Sequence, residues 1–365
     1  MQTSIRSLLA FLGAVAGLLV LVPVILLAIP LWLVGWLHSV ARDALARSRP
    51  ATIPWEQMMA YEPEVGWKPL PGLDAWAEGT PPFHVRTDSE GWRGPGVSIE
   101  DAQVVVFGDS FCFGHGADEE RFFANLTGGP VVKAIGANGY NMVQGLMWMK
   151  RYSKRLAGRT VVWLVYYGND LLDNLRPNMG RYRIPFVRRG QGGNGGWEIA
   201  SQHVNAEPWR FSTKTDYTRL LAEICSPTFL SGRVFEACDY LMCEAARVCA
   251  DAGARLVVVG NPDVEMIDPE LVLRLRARAP DPSSFDPKLP DTRFAEICER
   301  YGLPFVPLSE RLGPHDHLPE DVHWSPEGHE IVHGLMSEIH DSWSGAPSSP
   351  TVTASAIPEK QVAAL

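Results

Sequence analysis

The chain has 365 residues, enough for one large domain with additions or for two domains. It is 46% hydrophobic and 21% charged, with 29 prolines and 33 glycines, which suits a globular protein broken by many turns. A net charge of −9, with no stretch that concentrates Lys and Arg, argues against a nucleic-acid partner. The basic run Arg181 to Arg183, with Arg188 and Arg189, leads into Gly-rich sequence and reads as a solvated loop.

From Leu8 to Leu37 the chain is apolar and carries no charge. A bilayer core needs roughly 20 such residues, so this run is expected to be a single transmembrane helix. A cleavable signal peptide has a shorter apolar region, and no small-residue cleavage site follows promptly. Arg6 precedes the run, while Arg42, Arg47 and Arg49 follow it, offset by Asp43. That asymmetry mildly favours a cytoplasmic C-terminal side. Pro23 and Pro30 also permit a broken or re-entrant segment.

Residues 51–99 are rich in Pro, Gly and Trp without strong periodicity and read as an irregular lead-in. Then short apolar runs begin, at Gln103–Phe107, Val131–Ile135, Thr160–Tyr166, Ala254–Val259 and Pro304–Leu308. Each suits a buried parallel strand. Between them, helical spacing covers Met142–Leu156, Tyr217–Ile224, Arg233–Ala252 and Arg293–Tyr301. The alternation predicts an α/β fold, a flavodoxin-like three-layer α/β/α sandwich around a mostly parallel sheet. Ligands of such sheets bind beyond the carboxyl ends of the strands. The organisation expected is an anchor at 1–50, the lead-in at 51–99, the main domain at 100–343 with an insertion near 181–215, and a disordered Ser/Pro/Ala-rich tail at 344–365. No internal repeat is present.

The chemistry-bearing residues lie at the ends of these strands. Val104 to Phe107 runs straight into Gly108-Asp109-Ser110, so the serine sits past a strand end where helix N-terminal amides can face an oxyanion. Capping of the next helix would use the same serine. A hydroxyl becomes nucleophilic only beside a base. Asp321-Val322-His323, just before a Ser-Pro-Glu helix start, can supply an imidazole and the carboxylate that orients it. Ala134-Ile135-Gly136-Ala137-Asn138-Gly139-Tyr140 and Gly168-Asn169-Asp170 also follow predicted strands. Their amides suit an oxyanion hole, although Gly, Asn and Asp are ordinary turn residues too. His315 and His317 lack a third ligand at usual spacing, so no metal is expected, nor any cofactor. The six cysteines form no C-x-x-C pair, which argues against structural zinc and thioredoxin chemistry but leaves the redox compartment open.

In order and spacing, Gly108-Asp109-Ser110, Gly139, Gly168-Asn169-Asp170 and Asp321-x-His323 resemble the four blocks of the SGNH/GDSL hydrolases. Tyr61 to Trp67 and Thr87 to Gly94 resemble the lead-in of bacterial members, so the likeness spans about 60–340. It implies Ser110 as nucleophile, His323 as general base and Asp321 as orienting acid. It also implies that Gly139 and Asn169 join the Ser110 amide in the oxyanion hole. Many members carry the acid three positions before the histidine, where this chain has Glu320, and many carry Asn where it has Ala134. The D-x-H-W form resembles SGNH-like proteins of polysaccharide O-acetylation. The serine is not in G-x-S-x-G, which argues against the α/β-hydrolase fold.

The expected activity is therefore that of a serine esterase or deacylase acting on an acylated carbohydrate, lipid or small molecule. The alternatives are an O-acyltransferase modifying an envelope glycan and a non-catalytic SGNH-fold binding module. The resemblance also favours a membrane protein whose catalytic domain is extracytoplasmic.

Overall fold

The computed structural model describes residues 51–179, 182–190, 196–200 and 217–343. The apolar run at 8–37, the tail at 344–365 and most of the insertion expected at 181–215 lie outside the described residues. Among the described residues, no helix is long and apolar enough to cross a membrane.

The lead-in forms five short strands, β1 (Thr52–Ile53), β2 (Met59–Glu62), β3 (Gly66–Pro69), β4 (Asp74–Ala77) and β5 (Phe83–Arg86). They pair as β1-β4-β5 and as the hairpin β2-β3. This segment is thus more ordered than its weak periodicity suggested, because strands of two to four residues are too short to show a period. Next come β6 (Val104–Gly108), α1 (Ser110–Phe113), β7 (Val132–Gly136), α2 (Met142–Tyr152), β8 (Thr160–Tyr166) and α3 (Asp170–Asp173). Two small antiparallel pairs follow, β9 (Asn178–Met179) with β10 (Tyr182–Arg183), and β11 (Phe186–Arg189) with β12 (Trp197–Ala200). The chain continues through α4 (Tyr217–Ile224), α5 (Phe229–Ala252), β13 (Arg255–Asn261), α6 (Val264–Ile267), α7 (Pro269–Arg276), α8 (Leu289–Arg300), β14 (Phe305–Pro307) and α9 (Pro326–Trp343).

The five apolar runs make one parallel sheet in the order β7-β6-β8-β13-β14. Numbered along the chain, that is the flavodoxin-like order 2-1-3-4-5, whose switch point lies beside β6. The strands alternate between two cores. Val104, Val106, Val162, Leu164, Val257 and Val259 pack with Phe111 and with Val332, Leu335 and Ile339 of α9. Val105, Phe107, Trp163, Val165, Leu256 and Val258 pack against α2, α5 and α8 through Leu146, Leu241 and Phe294. Burial on both faces explains why these strands read as continuous apolar runs.

Helix α5 begins four residues before the spacing predicts. Thr228 accepts from the Ser231 amide at 3.0 Å, and Ser231 Oγ accepts from the Thr228 amide at 2.9 Å. Such a cap contributes about 1 kcal/mol and starts the helix ahead of its apolar stripe. In that first turn Phe229 points to solvent, 86% exposed, while Leu230 packs against the core.

Two buried cations fasten the lead-in to the sheet. Arg93 donates to the carbonyls of His84, Phe113, Gly114 and Ala117 and to Glu119. Burial pulls its pKa down to about 10, with Glu119 opposing the shift, so it stays charged at neutral pH. Lys133, from β7, pairs with Asp88 at 2.7 Å and donates to the Arg93 and Gly94 carbonyls. Removing one partner of a buried pair costs about 3–5 kcal/mol, whereas exposed pairs contribute about 0–1 kcal/mol. Arg93→Met is accordingly expected to lose several kcal/mol in urea unfolding. Arg86→Met, at a half-exposed pair with Asp74, should stay near wild type.

Asp173 presents the opposite problem. One carboxylate oxygen meets Arg176 at 3.3 Å, and the other is buried with no partner among the described residues. Burial pushes its pKa up to about 6 despite Arg176. Between the unfolded-state pKa near 4 and about 6, the folded protein holds a proton that the unfolded chain has lost. Stability therefore falls with rising pH across that window, by about 3 kcal/mol in total. Asp173→Asn is expected to flatten that decline in unfolding curves between pH 4 and pH 7.

Candidate active site

Ser110 opens α1 directly beyond β6. Gly108 and Gly136 are register partners on adjacent strands, and they leave room for the turn. A Cβ on Gly136 would lie 2.8 Å from the Asp109 carbonyl and 2.7 Å from Cys112 Cβ. Asp109 caps the helix by accepting from the Phe111 amide at 3.0 Å. Ser110 Oγ is 2.8 Å from His323 Nε2 and 3.3 Å from Asp109 Oδ2.

His323 sits in the loop before α9. Asp321 Oδ1 accepts from its backbone amide at 3.0 Å and lies 2.6 Å from Nδ1, so one carboxylate oxygen fixes both the turn and the ring. The Asp321 carboxyl is held well below the usual range. Partial burial works against this, but the His323 hydrogen bond and charge outweigh it. Glu320, the neighbouring acid, is exposed in a left-handed conformation (φ 62°), and it is Asp321 that meets the His323 ring. Trp324 anchors the loop: it is fully buried, and its indole N–H donates to Asn261 Oδ1 at the end of β13, 3.2 Å away. Phe111 stacks between Tyr166, His323 and Trp324 with ring centroids 4.5–4.9 Å apart.

Asn169 follows β8, and its amide donates to the Tyr140 carbonyl at 3.4 Å, next to Gly139. Gly139 turns its loop at φ 74°. The lead-in braces that loop: Trp67 Nε1 donates to the Asn138 carbonyl at 3.0 Å, Tyr140 Oη donates to the Trp67 carbonyl, and Gln144 donates to Val65. All four blocks singled out from sequence thus adjoin one another. His315 and His317 do not join them; His317 Nδ1 bonds the Gly313 carbonyl instead. The six cysteines are free thiols.

Several residues here were not singled out from sequence. His115 stacks on His323 with centroids 4.4 Å apart, and burial with the neighbouring His323 charge pushes its pKa down to about 3. Burial also raises the carboxyls of Asp109 and Asp170, each opposed by a backbone N–H bond. Asp263 accepts from Tyr166 Oη. Nothing in a lone His-Gly or Asn-Pro-Asp tripeptide announces these contacts, which the fold alone creates. A cavity of about 280 Å³ opens beside Asn169, walled by Tyr166, Leu221, Asp263 and Val322. A second, of about 460 Å³, also borders Val322 and is lined by Leu271, Leu318 and Asp321.

No family model matches the chain, and no curated protein does. Solved structures that match include a GDSL-like lipase from Bacteroides thetaiotaomicron, 12% identical over 67% of this chain and 91% of that one, with a TM-score of 0.33. TesA is 11% identical over 64% of this chain and 96% of that one, with a TM-score of 0.37. The chain's own strand order is the flavodoxin-like one, and the four sequence blocks that resemble those of the SGNH/GDSL hydrolases lie together at its switch point.

Proposed function

We propose that this chain is a serine esterase or deacylase that acts through an acyl-enzyme on an acylated carbohydrate or lipid. The observation that carries this reading is the hydrogen-bonded chain from Asp321 Oδ1 to His323 Nδ1 (2.6 Å) and from His323 Nε2 to Ser110 Oγ (2.8 Å). His323 takes the hydroxyl proton as Ser110 Oγ attacks the ester carbonyl, and Asp321 stabilises the imidazolium that forms. The Ser110 and Gly139 amides and the Asn169 side chain receive the oxyanion. His323 then returns the proton to the leaving alkoxide; water attacks the acyl-enzyme and gives a proton to His323, which passes it to Ser110 Oγ as the free acid departs.

The mainly apolar cavity beside Asn169 suits the acyl group, because it adjoins an oxyanion donor. The D-x-H-W form, Asp321 to Trp324, motivates a second reading in which a sugar hydroxyl rather than water attacks, making the chain an O-acyltransferase. The apolar run at 8–37 supports a membrane tether for either activity.

A fluorophosphonate probe and short-chain aryl esters test the reading together. Wild type is expected to label and to hydrolyse, and Ser110→Ala to lose both, with activity down by about 10⁴-fold or more. A protein that neither labels nor hydrolyses any ester on a broad panel is a binding module. Asp321→Asn should lower kcat by about 10⁴-fold while Glu320→Gln stays near wild type, since only the first acid touches the imidazole. With a glycan acceptor present, acylated glycan marks transfer, and free acid as sole product marks hydrolysis.

A further inference from the structure

His115 has no part in the acyl-transfer steps, yet it completes a set of donors around the imidazole. One ligand atom each from His115, Asp321 and His323 lies within 4.8 Å of the other two. A tetrahedral zinc ion, with bonds of about 2.0–2.2 Å, needs such atoms roughly 3.3 Å apart, so the three side chains would close on the ion as it binds. We propose that these three residues form a site for a divalent cation of the zinc class, and that its occupancy reversibly silences Ser110. The inference rests on the reading of His323 as the base.

The neighbourhood of His115 supports this. Its ring is held between Phe83, 4.9 Å away, and His323, and its backbone amide donates to the Ser110 carbonyl at 3.0 Å. The Asn138 amide lies 3.0 Å from His115 Nδ1. Asn138 is 8% exposed, and its Oδ1 has no hydrogen-bond partner among the described residues. Amide oxygen and nitrogen are assigned by their partners. Turning this amide gives Oδ1 a donor in Nδ1–H and leaves the other ring nitrogen its lone pair. A ligating histidine is commonly oriented by such a bond through its second nitrogen. Asp321 is one-third exposed, so an ion can enter from solvent. Two imidazoles and one carboxylate suit zinc better than magnesium or calcium, which prefer all-oxygen sets.

Either mode of coordination disables the base. A metal on His323 Nε2 occupies the lone pair that would accept the Ser110 proton. A metal on Nδ1 leaves the ring proton on Nε2, where it can only donate. The imidazole stays neutral overall in both cases, and no proton is lost. The metal removes the acceptor and leaves Ser110 in place.

The test uses the untagged, metal-free full chain, with His115→Phe and His115→Gln as variants. The first keeps the ring packing and the second keeps a partner for Asn138. Zinc chloride is titrated by calorimetry, and fluorophosphonate labelling of Ser110 is followed across the same concentrations. Wild type should bind one equivalent and lose labelling as the site fills. Both variants should bind at least about 10-fold more weakly and label at zinc levels that silence wild type. Equal zinc affinity in wild type and both variants overturns the proposal, as does zinc that binds and speeds labelling or hydrolysis. Calorimetry needs no activity, so the outcomes separate. A protein that binds zinc through His115 but never labels contradicts the catalytic reading. One that labels but binds no zinc contradicts this inference alone.

Discussion

The site depends on one hydrogen bond, between His323 and Ser110, whose residues stand 213 positions apart. Ser110 is placed by the sheet itself, because β6 is an interior strand held by β7 on one side and β8 on the other. His323 lies in a loop, so its position has to come from packing. Trp324 supplies most of this, buried in the core that joins α9 to the sheet and tied to Asn261 at the end of β13. The Leu318 amide bonds the His323 carbonyl at 2.8 Å, and Asp321 closes the turn from the other side. The residue after His323 thus sets the imidazole, and the carboxylate that meets the ring also shapes the loop bearing it.

Placing chemistry at the carboxyl end of a buried sheet forces charge into places where water is scarce. The chain handles cations and acids differently. Arg93 and Lys133 are each met by a carboxylate and several carbonyls, so their charge is kept and used to bind the lead-in to β7 and to the loop after α1. Asp109, Asp170 and Asp173 have fewer partners, and burial raises all three. Asp321 is the exception, because a histidine faces it. Asp321 is thereby held ionised, while burial makes the acids beneath Ser110 harder to ionise, the kind of separation found where neighbouring carboxylates take different roles.

Much of this was legible in the residues. Buried parallel strands are apolar on both faces, so β8 stood out with its full bounds, and β6, β7 and β13 with bounds off by one or two residues where the ladder runs on into Gly108, Gly136 and Asn261. Ser110, Asn169 and His323 were visible because they follow such strands or precede a marked helix start. The short strands of the lead-in were not legible, since two to four residues carry no period. His115 and Asn261 were invisible for another reason: their roles are contacts across 208 and 63 positions, and nothing local encodes them. The lead-in also proved to brace the site, with Trp67 holding the Gly139 loop, a role that composition alone does not reveal.

The pairing of His115 with His323 carries one further physical consequence. In the proposed cycle His323 becomes positive while Ser110 attacks, with a second imidazole 4.4 Å away. Two positive charges at that distance would repel by about 4 kcal/mol at an effective dielectric near 20, enough to slow the step about a thousandfold. Burial removes that cost by keeping His115 neutral. Asp321 is left as the charge that faces the imidazolium. The neighbour can therefore pack tightly against the base without opposing its protonation, and the rigidity gained from a wall of rings is not offset by repulsion within it.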